Sequence, residues 1–397
     1  GNSETNQAGN RRRYPTIIGK GARSSITSER EGRTMLRAVS LFSNVGIAET
    51  YFADLDIHVA VANELVPQRA EFYRHLYPKT NMIVGDITDA KIYSQIITEA
   101  KKGPVDFLIA TPPCQGMSIA GEMNPYDERN SLVKYAIDAI LDLRPTYVLI
   151  ENVPQQLTTP INYEGTEITI PEYIEKRIGA FYNINAEKVL DTMDYGVPQM
   201  RRRAIFLCAD KATGINWVFP KKEKHIVTLE EAFAGIPDLW PNIKEKEYRN
   251  VLPPNTPEAL AFNKWHQPMT HVWRNVECML YTPTGNTAYD NPVHYPKKTN
   301  GERVKGYDTA YHRMFWNKPS STITTYNFRI GSQNNVHPGS PWKKDENGDM
   351  MYTNPRVLTI YELMIVSSLP KDWDIPQWAT DNLIRTVIGE GIPPLLI

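Results

Sequence analysis

Cysteine is scarce in this chain. The 397 residues hold three, Cys114, Cys208 and Cys278, with no CxxC pair. That is too few for a disulfide framework and gives no zinc-type spacing, so no residue is assigned to a metal. A reducing, intracellular setting follows. Long apolar runs are also missing. Val105–Ala110 is interrupted by Asp106 and falls far short of the roughly 18 residues that span a bilayer. No apolar segment opens the sequence, so neither a membrane anchor nor a signal peptide is expected. Charge of one sign is lacking too: 44 basic against 45 acidic side chains leave a net charge of −1. This excludes a generally polybasic coat protein and leaves room for a locally basic cleft. The three-glycine dinucleotide fingerprint and the Walker loop are absent.

What is present reads as a globular α/β protein, 41% hydrophobic and 22% charged, long enough for two domains or for one with an insertion. Residues 1–35 are polar and aperiodic, with seven basic and three acidic side chains. They read as a flexible tail or as a basic arm laid on a phosphate backbone. From residue 36 short β-branched runs alternate with helical stretches. The strands are expected over 36–42, 57–63, 81–84, 105–110, 147–150 and 204–208, and the helices over 67–76, 93–100 and 132–143. Strands spaced by helices imply right-handed βαβ units and a parallel sheet covered on both faces. Residues 211–350 are irregular and rich in Pro, Asn, Thr and aromatics, with 18 basic against 14 acidic side chains. Residues 351–397 form a C-terminal return, with a helix start in 356–367 and a turn at 389–394.

Ligands of an open parallel sheet bind at the carboxyl ends of its strands. Five expected strands deliver Phe42, Glu64, Asp86, Cys114 and Glu151 to that edge. Each alone has a bland reading: a strand-end carboxylate is usually a helix cap or a solvated loop residue, and a lone cysteine is usually a small buried hydrophobe. Their repetition along one edge is what carries weight. Glu64 lies 18 positions past Gly46, where a carboxylate can hold a ribose diol. Pro112 and Pro113 stiffen the approach to Cys114. A nucleophilic thiol needs an acid–base or cationic partner, and Glu151 and Arg203 arrive at the same edge. Thiol, carboxyl and guanidinium together suit attack on a ring that must be made electrophilic.

These motifs, in this order, resemble the cytosine carbon-5 DNA methyltransferase family. Pro112-Pro113-Cys114-Gln115 resembles its Pro-Cys-Gln nucleophile loop, Glu151-Asn152-Val153 its Glu-Asn-Val, and Gln199-Met200-Arg201-Arg202-Arg203 its Gln-x-Arg-x-Arg. Phe42-Ser43-Asn44-Val45-Gly46 resembles its cofactor loop. Trp316–Pro319 with Thr322–Thr325, Arg356–Glu362 and Gly389–Pro394 resemble its closing segments. The resemblance covers residues 36–394 apart from a stretch near 211–310. It implies a Rossmann-like methyltransferase sheet domain over 36–210 and a smaller target-recognition domain over 211–350. It implies S-adenosylmethionine as cofactor, held by Phe42, Ser43, Val45, Gly46, Glu64, Leu65, Asp86, Ile87, Pro113, Leu132 and Glu390.

The implied reaction flips a cytosine out of duplex DNA. Cys114 attacks ring carbon 6, Glu151 meets the ring nitrogen, and Arg201 and Arg203 complete the catalytic set. Gln115, Ser118, Gln199 and Thr324 are the implied DNA contacts. The implied partners are duplex DNA and a cognate restriction endonuclease or second methyltransferase subunit, in the cytoplasm on the nucleoid.

Two positions depart from the family pattern. Asn44 stands where glycine is usual, and asparagine tolerates the left-handed backbone. Glu390 stands where asparagine is usual; its carboxylate can pair with a cofactor amino group and repels a cofactor carboxylate. Rival readings are a catalytically weak family member serving as a DNA-binding or regulatory subunit, an exocyclic-amino methyltransferase on the Thr111–Cys114 loop, an RNA methyltransferase, and a nicotinamide dehydrogenase.

Overall fold

A computed structural model describes residues 34–113 and 128–397. The basic stretch 1–33 and three implied site residues, Cys114, Gln115 and Ser118, lie outside the described residues. Five strands come first: β1 (Leu36–Leu41), β2 (Ile57–Glu64), β3 (Asn81–Val84), β4 (Phe107–Ala110) and β5 (Tyr147–Asn152). A hairpin follows, β6 (Pro160–Tyr163) with β7 (Thr166–Thr169), then β8 (Tyr182–Asp191) and β9 (Arg202–Asp210). The main sheet has seven strands in the order β3-β2-β1-β4-β5-β9-β8. β1 to β5 are parallel, as the alternating pattern predicts. The expectation of a wholly parallel sheet needs one correction: β9 pairs antiparallel with both β5 and β8. Strand order reverses between β1 and β4, which opens a crevice at their carboxyl ends.

Period-two burial explains why these segments are central strands. Val39, Leu41, Leu108, Ala110, Val148, Ile150, Phe206 and Cys208 face one core, against α2 (Ala90–Ala100), α3 (Val133–Leu143) and α4 (Ile170–Ile178). Ala38, Phe107, Ile109, Leu149, Ile205 and Leu207 face the other, with α1 (Pro67–Leu76), Trp217 and the C-terminal Ile392 and Leu396. Pro67 starts α1, Asp89 caps α2 by accepting from Lys91 N at 2.7 Å, and Thr169 with Glu172 forms a capping box on α4.

Past residue 210 the elements are short: α5 (Leu229–Ala232), α6 (Pro257–Ala261), α7 (Trp273–Leu280), two-residue strands β10 (Asn242–Ile243) and β11 (Thr270–His271), and the hairpin β12 (Pro341–Lys344) with β13 (Met350–Tyr352). With few ladders, buried carbonyls there need other donors. Arg313, fully buried, donates to the carbonyls of Met279, His337 and Asn354. Arg356 donates to Leu239 O and to both oxygens of Glu362.

The chain closes with α8 (Ile360–Val366) and α9 (Asp381–Glu390). Their apolar faces join Val45, Ile47, Phe72, Phe233, Met314 and Ile323 in one cluster. The expected turn at 389–394 therefore starts later, because Gly389 and Glu390 are the last turn of α9. Leu36–Ile397 form one compact unit. No described helix is long and apolar enough to cross a membrane.

Candidate active site

The carboxyl ends of β1 to β5 open into a cleft of about 1900 Å³, above the roughly 300–1,000 Å³ usual for one small ligand. Its wall at β1 is the loop after Leu41. Phe42 and Asn44 both hold left-handed backbone, φ 58° and 50°, and Gly46 follows at 81°. A bulky phenylalanine there stores strain, the kind that surrounding structure holds in place at binding sites. Ser43 donates to Asn63 O through both its backbone N and its hydroxyl. The Asn63 amide in turn bridges Ile83 O and Gly85 O, each at 3.0 Å. The ends of β1, β2 and β3 are thereby stitched together.

Glu64, nearly buried, accepts from Asn44 N and Val66 N, both at 2.9 Å. Burial pushes its carboxyl up, against the pull of those two donors and of Arg69. Leu65 is exposed on the cleft rim, and Asp86 is exposed with Oδ1 accepting from Thr88 N. Ile87, Pro113, Leu132 and Thr324 also line the cleft. Two implied cofactor residues do not. The Val45 side chain lies in the core with Phe72, and Gly46 backs onto the rings of Tyr73 and Tyr77, where a Cβ would come within 2.3 Å of Tyr77. Both shape the loop from behind.

At the β5 end, Glu151 Oε1 and Arg203 Nε are 2.8 Å apart, with side chains 10% and 11% exposed. They reach each other from neighbouring strands, since Glu151 pairs with Ile205 in the ladder. Burial raises the Glu151 carboxyl above its ordinary range, and Arg203 and then Arg201 oppose that rise. Asn152 donates to Pro112 O at 3.0 Å and accepts from Val153 N at 2.8 Å. It anchors the diproline stem that leads to Cys114, a role its motif did not reveal.

Gln199 and Arg201 bind neighbouring segments of the fold. Gln199 is 1% exposed, and its amide accepts from Ile323 N and donates to Val366 O. With its amide engaged at both ends inside the protein, Gln199 acts as a strut between the sheet, Ile323 and Val366. Arg201 lines the cleft, but its guanidinium donates to Ile323 O at 2.7 Å and to Gly389 O at 2.8 Å. It ties the sheet to the two segments that frame the cleft. Of the implied catalytic arginines, Arg203 is the one beside Glu151.

Asn44 and Glu390, the two departures, meet. Asn44 Nδ2 donates to Glu390 Oε2 at 2.8 Å, and Arg69 Nη2 lies 2.9 Å from Glu390 Oε1. Arg69 gave no sequence signal because its partner is 321 positions away. The six tryptophans of 211–350 are half-buried and pack against core clusters: Trp217 on Phe107 and Tyr147, Trp240 on Trp342, Trp273 on Tyr248, Trp316 on Phe233, and Trp265 against the α8–α9 cluster.

Residues 36–397 match the family model described as C-5 cytosine-specific DNA methylase. Type II methyltransferase M1.HgaI of Avibacterium volantium is 41% identical over 367 residues, which is 91% of this chain and 96% of that protein. Type II methyltransferase M1.HphI of Haemophilus parahaemolyticus is 26% identical over 91% of this chain and 84% of its own length. Among solved structures, the methyltransferase EhMeth of Entamoeba histolytica superposes with a TM-score of 0.57 at 14% identity, covering 91% of this chain and 95% of that one. That likeness speaks for the fold. With the sheet order, the Glu151–Arg203 pair and the motifs in place, the chain belongs to the C-5 cytosine-specific DNA methylase family.

Proposed function

We propose that this chain is a DNA (cytosine-5-)-methyltransferase, transferring a methyl group from S-adenosylmethionine to carbon 5 of a cytosine flipped out of a specific duplex sequence. The observation that carries this is the Glu151–Arg203 pair, nearly buried at the foot of the cleft that the Phe42–Gly46 loop also walls. The rim fits the cofactor. Asn44 Oδ1 is buried without a hydrogen-bond partner among the described residues, and Glu64 and Glu390 add carboxylate oxygens. Such an acceptor-rich rim suits a ligand with hydroxyl and ammonium donors. When bound, S-adenosylmethionine supplies an electrophilic methyl group.

The Cys114 thiolate forms a bond to ring carbon 6. Glu151, favoured in its neutral form by burial, donates to the ring nitrogen, and Arg203 orients it and faces the ring oxygen. The displaced electron pair makes carbon 5 nucleophilic. After carbon 5 is methylated its proton passes to water, the electron pair left behind reforms the ring double bond and expels the sulfur from carbon 6, the ring-nitrogen proton returns to Glu151, and the thiolate is restored.

Residues 211–350 would read the target and grip phosphates, with Thr324 beside the extruded nucleotide. Residues 1–35 are available as a basic arm, and 351–397 close the cleft. A cognate restriction endonuclease is the natural partner of such an enzyme, in the cytoplasm on nucleoid DNA.

The test is labelled S-adenosylmethionine with mixed-sequence duplex DNA, comparing wild type with Cys114→Ala. Label in cytosine from wild type alone is expected. Label from both would overturn Cys114 as nucleophile, and none from either would leave a DNA-binding subunit as the better reading.

A further inference from the structure

The resemblance treats Asn44 and Glu390 as two separate departures, yet they form one feature. Glu390 ends α9, 346 positions from Asn44, and its two carboxylate oxygens are divided between Asn44 Nδ2 and the Arg69 guanidinium. The Asn44 backbone N–H meanwhile serves Glu64 at 2.9 Å. Asn44 therefore stands between two carboxylates at the same end of the cleft. They are close enough for Glu390 to push the Glu64 carboxyl up while Arg69 pulls it down.

Among the described residues, the charged groups around Asn44 are two carboxylates, Glu64 and Glu390, and one guanidinium, Arg69. The Asn44 Oδ1 acceptor beside them is buried with no hydrogen-bond partner among the described residues. Arg69 and Glu390 are each about one-quarter exposed and line the cleft, so the charge is felt inside it. The macrodipole of α9 places further negative potential at its last turn, where Glu390 sits.

We propose that Glu390, held by Asn44 and Arg69, is a specificity residue that makes this end of the cleft select a cationic ligand over a neutral one of the same shape. On the cofactor reading above, on which this rests, the two ligands are the cosubstrate and its own product. S-adenosylmethionine carries a sulfonium and one net positive charge at neutral pH. The thioether S-adenosylhomocysteine carries none, and otherwise differs by one methyl group. An asparagine at position 390 would leave Arg69 without its counterion and tilt the balance toward the neutral product. The carboxylate favours product release after each turnover, and asparagine at position 44 supplies the donor that glycine could not.

The experiment is equilibrium binding of S-adenosylmethionine, S-adenosylhomocysteine and sinefungin, an amine analogue that keeps the positive charge, to wild type, Glu390→Gln and Arg69→Gln. One unit charge removed beside the site should change the ratio of cation to neutral affinity about fivefold at low salt. Glu390→Gln lowers the ratio and Arg69→Gln raises it, with sinefungin following the sulfonium. Opposite shifts from the two variants are what a merely structural latch would not give, since breaking a latch weakens both ligands by a common factor. Equal weakening in both variants overturns the proposal while leaving the cofactor reading intact. Wild type binding none of the three overturns both.

Discussion

Glu151 is a carboxyl held under tension between burial and a guanidinium. Its ladder position on β5 puts it next to β9, and the 2.8 Å contact with Arg203 Nε fixes its direction. Burial raises its proton affinity while Arg203 and Arg201 lower it, and burial wins. Glu151→Gln keeps the shape and removes the transferable proton, so the methylation rate should fall about 10²- to 10⁴-fold with the unfolding temperature little changed. Label transfer and thermal unfolding check this together. Because the neutral carboxyl is the working form, wild-type activity should decline as pH rises through the raised pKa, and the residual activity of Glu151→Gln should lack that alkaline limb.

At the scale of elements, the Gln199–Arg203 segment works by alternation. Gln199 and Arg201 point to the frame formed by Ile323, Val366 and Gly389, and Arg203 points to Glu151. The frame is tight. A Cβ on Gly389 would sit 2.3 Å from Thr324 O and 2.8 Å from Thr325 N, backbone atoms that have no rotamer to escape into. Gly389→Ala should cost about 1–3 kcal/mol and weaken both cofactor and DNA binding, read by denaturant unfolding and by titration.

Much of this architecture was legible before any coordinates. The run over Asn81–Val84 and the helix Pro67–Leu76 match their predicted limits, because period-two burial and a proline at the helix start are local signals. β8 was missed: it is the edge strand, with a bulge between Asn185 and Lys188, so its apolar alternation breaks halfway. The antiparallel sense of β9 was illegible for another reason, since direction depends on the connection and not on composition. At the cleft, the placement of Phe42, Glu64, Asp86 and Glu151 follows the edge rule. The Asn44–Glu390–Arg69 contact was not legible, because nothing local ties residues more than 300 positions apart.

For the whole molecule, stability against pH has limits on two sides. Glu362 is buried with Arg356 on both oxygens, at 2.8 and 2.9 Å, and caps α8 through Thr359. Desolvation opposes its charge, but Arg356 and then the nearby His337 and His266 win and hold the carboxyl far below its ordinary range. Such a group stabilises above its unfolded pKa, and the contribution is lost as pH falls through the acid range. His271, pushed down to about 3 by burial, adds to the acid loss once the unfolded imidazole protonates below its ordinary pKa. On the other side Glu49, buried under Ser40 and pushed up to about 7, favours the fold below its ordinary 4.5 and loses that contribution as pH rises to about 7. Glu362→Gln leaves Arg356 without its anion and should destabilise the fold by about 3–5 kcal/mol. Denaturant midpoints from pH 2 to 8 should show its slope below about pH 4.5 reduced, and Glu49→Gln should flatten the decline between its ordinary 4.5 and about 7.

The cleft draws its lining from Phe42 at one end of the folded unit and from Ile392 at the other. A ribosome adding about 5–20 residues per second takes on the order of 20–70 s to travel from the first to the second. For the part of that interval after β9 is made, the emerging chain carries its whole sheet but no α9 to complete the wall beside Asn44. A chain that stops short of α9 therefore lacks Glu390 and this part of the cleft wall, however complete its sheet.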